Sequence, residues 1–272
     1  MTKKHIGVIG TGMMGTDIAH LFLLSGYPVS IYDIDEEKVK RAQEKITSKS
    51  KEIKEELLQV TTKIDDLSPC QFIVEAVPEN LELKQQVFQE LEQVVSPSAI
   101  LASNTSGISI AKIATVCEHP ERVIGTHFFN PATKMPLVEV ISGEHTVSAT
   151  LEETLYIIED IGKTPVHAKD VPGFIVNRIV TPMLNEAMHL LENEVSTTEE
   201  IDKAIKLAMG HPMGPLQLAD FIGLDTIYHF MEQIYEETKL AQFKPSDKLK
   251  EMVDNGLLGR KTGKGFYDYT GA

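Results

Sequence analysis

An apolar run from Ile6 to Ile9 ends in three glycines, Gly10, Gly12 and Gly15, spaced as GxGxxG, and a helical pattern follows at once. Ile18, Ala19, Leu21, Phe22 and Leu23 give that helix an apolar side, Gly26 is placed to cap it, and Val29 to Tyr32 reads as a second buried strand. This is a βαβ unit. In such a unit the first glycine makes the tight turn, the second lets the backbone approach a pyrophosphate, and the third allows close helix-to-strand packing. The helix N-terminus then offers free N–H groups and partial positive charge to phosphates. Asp33, at the tip of the second strand, is placed to accept from both ribose hydroxyls of an adenosine. Asp35, Glu36 and Glu37 follow, with no cation before Lys38, so a 2′-phosphate would be repelled and NAD is favoured over NADP.

A pyrophosphate needs local positive groups here, because the chain as a whole is acidic. Its 272 residues hold 26 Lys and Arg against 40 Asp and Glu, a formal charge of −14. That balance argues against nucleic acid or an anionic membrane as the main partner. Cys70 and Cys117 lie far apart without metal-ligand spacing, so neither a disulfide framework nor a metal site is expected. No apolar run is long enough to span a bilayer, and no apolar leader precedes the first strand, which points to the cytoplasm.

Past Asp33 a polar helical region extends from Asp35 to about Val60, with Val39, Ala42, Ile46, Ile53, Leu57 and Val60 as a narrow stripe interrupted at Lys49 and Ser50. A helix pair or a bent arm standing off the body fits this pattern. Its lysines, Lys51 among them, either pair with glutamates at i,i+4 or form a phosphate-docking arm. Apolar strands then recur in FIVEAV from Phe72, in Ala99 to Ser103, in RVIGTHF ending at His127, in LVEVISG from Leu137 and in KTPVHAKD. Helices fall between them at Leu81 to Val95 and Val147 to Ile161. Alternating strands and helices imply an α/β doubly wound, mostly parallel Rossmann-type sheet, whose ligands lie beyond the carboxyl ends of the strands. From Phe174 the β pattern stops, and helical segments cover 174–193, 197–208, 215–238 and 246–254. The expected division is a dinucleotide-binding domain over 1–169 and an all-helical domain over 170–272, with a broad apolar face on the first helix suited to dimerisation.

At the ligand edge His127 leaves its strand, and Glu139 sits on the next one. If those strands are neighbours, the carboxylate fixes the imidazole tautomer and leaves the other nitrogen as a general base. Ser106 and Asn130 lie on the same edge, and Asn177 stands early in a helix, where asparagine is disfavoured unless it has a role. A GxSxG elbow is absent, so a serine hydrolase is not indicated.

Read together, SNTSG, HFFNPATKMPLVEV, PGFIVNR, GHPMGPLQLADFIGLD and GRKTGKGFYDY, with the first βαβ unit, resemble the 3-hydroxyacyl-CoA dehydrogenase family, nearest its bacterial 3-hydroxybutyryl-CoA dehydrogenases. The resemblance runs in order over nearly the whole chain. It implies NAD-dependent oxidation of an L-3-hydroxyacyl-CoA, of short chain, by a homodimer. It also implies that His127, Glu139, Ser106 and Asn177 form the catalytic set. Cofactor contacts would come from Gly10, Thr11, Gly12, Met13, Met14, Gly15, Asp33, Glu79, Lys84, Ser106, Asn130 and Lys261. Three departures stand out: the 35–71 arm is shorter than in typical members, Thr11 and Asp17 crowd the glycine turn, and Pro136 takes a place where lysine is common. Near the pyrophosphate, the Asp17 carboxylate would weaken dinucleotide binding. Because the family grips the CoA nucleotide through that arm, a free hydroxy acid or a sugar acid such as gulonate remains an alternative substrate. A dinucleotide-binding protein without catalysis is a third reading.

Overall fold

The computed structural model describes residues 3–49 and 53–271. The chain divides into two compact units, one running to Phe174 and the other starting at Ile175.

The first unit runs β1 (Ile6–Ile9), α1 (Met13–Leu24), β2 (Val29–Tyr32), α2 (Glu36–Lys49), β3 (Leu58–Thr61), β4 (Phe72–Glu75), α3 (Leu81–Val94), β5 (Ile100–Ser103), α4 (Ile110–Ala114), β6 (Val123–Phe128), β7 (Leu137–Ser142), α5 (Ser148–Asp160) and β8 (Thr164–Lys169). These strands form one sheet in the order β3-β2-β1-β4-β5-β6-β7-β8. Strands β1 to β6 are parallel, β6 and β7 are antiparallel, and β7 and β8 are again parallel. Both faces of the inner strands are covered, which is why β1, β2 and β4 to β7 read as apolar runs rather than alternations. Ile6, Val8, Phe72 and Val74 pack with Ile18 and Phe22 of α1, Ala42 and Ile46 of α2, and Ile157 and Ile158 of α5. On the other face Ile73, Leu101, Val123 and Ile141 meet Phe88 and Leu91 of α3 and Ile110 and Ile113 of α4. Such a doubly wound sheet is the expected fold class.

The 35–60 region departs from expectation in two ways. Its helix ends at Lys49, and Leu58–Thr61 is the edge strand β3, hydrogen-bonded in register to β2. Nor does α2 stand off: Val39, Ala42 and Ile46 are buried. The outward lysines are answered by neighbours, Lys40 by Glu36 at 2.9 Å and Lys45 by Asp17 at 3.5 Å. Ser50 and Lys51 lie outside the described residues.

The second unit contains α6 (Val176–Glu192), α7 (Thr198–Met209), α8 (Pro215–Ile222), α9 (Leu224–Thr238) and α10 (Asp247–Asp254) around Leu184, Met188, Leu216, Leu224, Met231 and Leu249. The helix expected over 215–238 is broken at Gly223, whose φ of 105° no helix accepts. Two buried aspartates bind its motifs together. Asp202 accepts the Leu216 and Gln217 N–H groups at 2.7 and 2.9 Å, capping α8, and the Tyr267 hydroxyl at 2.8 Å. Asp220 accepts N–H groups of Phe266 and Tyr267, both at 2.9 Å, which seats the glycine-rich tail.

Candidate active site

The carboxyl ends of β1 and β2 carry the glycine turn and Asp33. At Gly10 φ is +92°, and a Cβ there would lie 2.7 Å from the Ala76 carbonyl oxygen. A Cβ on Gly15 would come within 1.9 Å of the Gly10 oxygen, so only glycine lets α1 close on β1. At Gly12, by contrast, a Cβ would meet nothing within 4 Å. The first turn of α1 has no acidic residue and no side-chain cap, which leaves its N-terminus fit for an anion.

Asp33 is tied to this turn. Its Oδ2 accepts the Thr11 N–H at 2.9 Å and the Thr11 hydroxyl at 2.8 Å, and its Oδ1 accepts the Asp35 N–H at 3.2 Å. Burial pushes the carboxyl up, but the Thr11 and Asp35 donors and the Lys38 charge outweigh it and hold the group below the ordinary aspartate range. The negative charge at this strand tip is therefore fixed. Thr11, a departure in sequence, is what orients it. Asp17, whose carboxylate was expected to weigh on the pyrophosphate, is buried on α1 with Lys45 as its counter-ion at 3.5 Å.

A second cluster sits where β4 and β5 end. Lys84 is fully enclosed and donates to Glu75 Oε1 and Oε2 at 2.7 and 3.0 Å, with Glu79 Oε2 at 3.5 Å. Glu79 Oε1 gathers the Thr105 hydroxyl at 2.6 Å, the Ser106 N–H at 2.9 Å, the Ser106 hydroxyl at 3.2 Å and the Gly107 N–H at 3.2 Å. Burial raises the Glu79 carboxyl, while Lys84 and the loop donors more than reverse this and hold it below the usual glutamate range. So Glu79 organises the 105–107 loop. Lys84 has no exposed side-chain surface.

The third cluster follows from strand direction. Because β7 runs back from the edge where β6 ends, His127 and Glu139 stand directly opposite one another. His127 Nδ1 is 2.8 Å from Glu139 Oε2, with Glu139 fully buried and His127 6 % exposed. A carboxylate only accepts, so the proton sits on Nδ1 and the Nε2 lone pair is available. The ring packs against Phe129, 4.4 Å between centroids, and Phe174, 6.0 Å away. Asn104 Oδ1 accepts the Phe128 N–H at 2.9 Å, joining the Ser106 loop to the His127 strand. Asn130, just beyond, is exposed.

With this geometry in view, two comparisons decide the lineage. A family model described as 3-hydroxyacyl-CoA dehydrogenase, NAD binding domain, matches residues 5–171, and one described as 3-hydroxyacyl-CoA dehydrogenase, C-terminal domain, matches residues 173–269. The chain belongs to the 3-hydroxyacyl-CoA dehydrogenase family. A 3-hydroxybutyryl-CoA dehydrogenase of Bradyrhizobium diazoefficiens is 42 % identical, over 99 % of this chain and 96 % of its own. The mitochondrial hydroxyacyl-coenzyme A dehydrogenase of Mus musculus is 38 % identical, over 98 % and 91 % respectively. Among solved structures, (S)-3-hydroxybutyryl-CoA dehydrogenase PaaH1 from Ralstonia eutropha superposes with a TM-score of 0.94 at 38 % identity, covering 98 % of this chain and 99 % of that one.

In this family member the residues fit the NAD that its N-terminal domain is named for: an uncrowded Gly12, an uncapped helix start and an ionised Asp33. Of the remaining site candidates, Asn177 opens α6 in the second unit, and Lys261 pairs there with Asp225. Sequence reading passed over four residues that shape the site. Phe174 and Thr105 looked like core and turn. Glu75 had a visible signal, an acid inside an apolar strand. Lys163 only opened the KTPVHAKD strand segment in sequence, yet it is buried and donates to the Met135 and Thr133 carbonyls at 2.8 and 3.3 Å, fixing the loop between β6 and β7. Burial lowers its pKa.

Proposed function

We propose that the chain is an NAD-dependent L-3-hydroxyacyl-CoA dehydrogenase for short acyl chains such as 3-hydroxybutyryl-CoA, with His127 as its general base. The contact between His127 Nδ1 and Glu139 at 2.8 Å is the observation that carries this reading. His127 Nε2 takes the proton of the substrate's 3-hydroxyl as that carbon is oxidised, and returns it in reduction. Glu139 holds the ring in the tautomer this needs and offsets the charge gained. NAD, when bound, supplies the two-electron acceptor. Ser106 and Asn177 hydrogen-bond the substrate oxygens and the nicotinamide end, and Glu79 fixes Ser106. Gly10 to Gly15 and Asp33 hold the dinucleotide, with Asn130 and Lys261 as further contacts and Lys84 acting through Glu79.

The same reading divides the chain at 169/170 into a cofactor domain and a helical domain. It makes the protein a cytoplasmic homodimer joined through the second unit. Ile179, Leu207, Met209 and Phe221 are more than half exposed there, an apolar surface that a partner copy would cover. Among the described residues no helix is long and apolar enough to cross a membrane.

The test is a spectrophotometric comparison of acetoacetyl-CoA with NADH against gulonate with NAD at equal concentration. Turnover of acetoacetyl-CoA at least about 100-fold above gulonate is expected, since a site built for a bound group rejects substrates lacking it by such factors. Preference for gulonate would replace this substrate assignment.

A further inference from the structure

Glu75 ends β4 and is completely buried, as is Lys84, the cation it holds. Burying two charges gains little over an apolar pair of the same volume, so stability alone does not explain them. Their connections do. Both Glu75 oxygens are engaged: Oε1 accepts the Val77 N–H at 2.7 Å and Lys84 at 2.7 Å, while Oε2 accepts the Ser103 hydroxyl at 2.6 Å and Lys84 at 3.0 Å. The carboxylate therefore ties together the ends of β4 and β5 and pins the ammonium between them.

Lys84 has a second acid in reach, Glu79, but at 3.5 Å it is the more distant partner. The share of the ammonium taken by Glu75 is what keeps Glu79 from being drawn inward. Glu79 consequently remains turned toward the 105–107 loop, where one oxygen collects four donors. From this geometry we infer that Glu75 is a positioning residue for Ser106: by holding Lys84, it sets where Glu79 stands and so where the Ser106 hydroxyl points. This rests on the role given to Ser106 above. In a Glu75→Gln variant the amide cannot neutralise Lys84, the ammonium moves onto Glu79, and the loop loses its acceptor.

The experiment is a double-mutant cycle of Glu75→Gln with Ser106→Ala, reading NADH affinity by fluorescence titration, kcat and KM with acetoacetyl-CoA, and melting temperature. Glu75→Gln alone is expected to lower kcat/KM by up to about 100-fold, the scale of an ångström of misplacement, and to weaken NADH binding. In the Ser106→Ala background the same change should cost under about 3-fold, because residues acting through one another are not additive. If Glu75→Gln does not fold, Glu75→Gln with Lys84→Met removes both buried charges; without the ammonium nothing draws Glu79 off the loop, so kinetics and NADH affinity are expected within about 3-fold of wild type. Wild-type kinetics and NADH affinity in a folded Glu75→Gln, full additivity with Ser106→Ala, or a loss of about 100-fold in the variant that also lacks Lys84, overturns the inference. A fully active Ser106→Ala overturns the reading of Ser106 itself, and the inference with it.

Discussion

Replacing Glu139 by glutamine changes one charge and almost no volume at a position with no exposed surface. The consequence follows from the hydrogen bond at 2.8 Å to His127 Nδ1. Glutamate can only accept there, which forces the proton onto Nδ1. Glutamine can also turn its amide to donate, which favours the tautomer with the proton on Nε2, the nitrogen that must be free. A general base contributes about 10²–10⁴ in rate, and the equivalent carboxylate-to-amide change in the serine-protease triad costs about 10⁴. For Glu139→Gln kcat is accordingly expected to fall by about 10²–10⁴, or roughly 3–5 kcal/mol of barrier. NADH affinity should stay within about 3-fold, since a substitution that leaves distant, independent contacts intact does not couple to them. The assay is the initial rate of NADH consumption with acetoacetyl-CoA, beside a fluorescence titration of NADH and a melting curve. A kcat within about 5-fold of wild type, in a folded protein, would refute the assignment of Glu139 to the ring.

Other perturbations probe the rest of the site. Asp33→Ala should weaken NADH binding by about 10- to 100-fold, the worth of a hydrogen bond to a charged group, and narrow the preference over NADPH; an unchanged ratio in paired titrations would remove Asp33 from cofactor choice. Gly15→Ala puts a Cβ within 1.9 Å of the Gly10 oxygen, so both the melting temperature and NADH affinity should drop, whereas a neutral substitution would mean the turn is not packed as described. Burial raises the Glu92 carboxyl, but N–H groups of Glu118 and His119 and the Arg122 guanidinium hold it below its ordinary value of 4.5. The stability it supplies is present above that value and lost as pH falls through the lowered pKa. Melting curves of Glu92→Gln should therefore be lower than wild type at neutral pH and converge with it in acid; parallel curves would exclude the linkage.

How far the chain could be read from its residues depended on burial. Strands covered on both faces announce themselves as apolar runs, so β1, β2 and β4 to β7 were legible, while β8, largely exposed, was read from KTPVHAKD without such a run. The edge strand β3 was not, because Leu58 and Val60 are half-buried beside an exposed Gln59 and continue the apolar stripe of α2. A glycine at position 223 looked tolerable inside a helix, yet its φ of 105° separates α8 from α9. The meeting of His127 with Glu139 depended on an antiparallel turn, which the short connection between the two strands allowed. Buried charge was the least legible feature. Asp17, Glu75, Lys84 and Lys163 carry side chains that usually face water, and only the tertiary structure places a partner beside each.

The most direct measurement is the turnover of His127→Gln, made alongside its NADH affinity. A glutamine cannot accept and return a proton, so kcat with acetoacetyl-CoA is expected to fall by at least about 10², with NADH still bound. A variant that binds NADH and turns over at the wild-type rate would contradict the account.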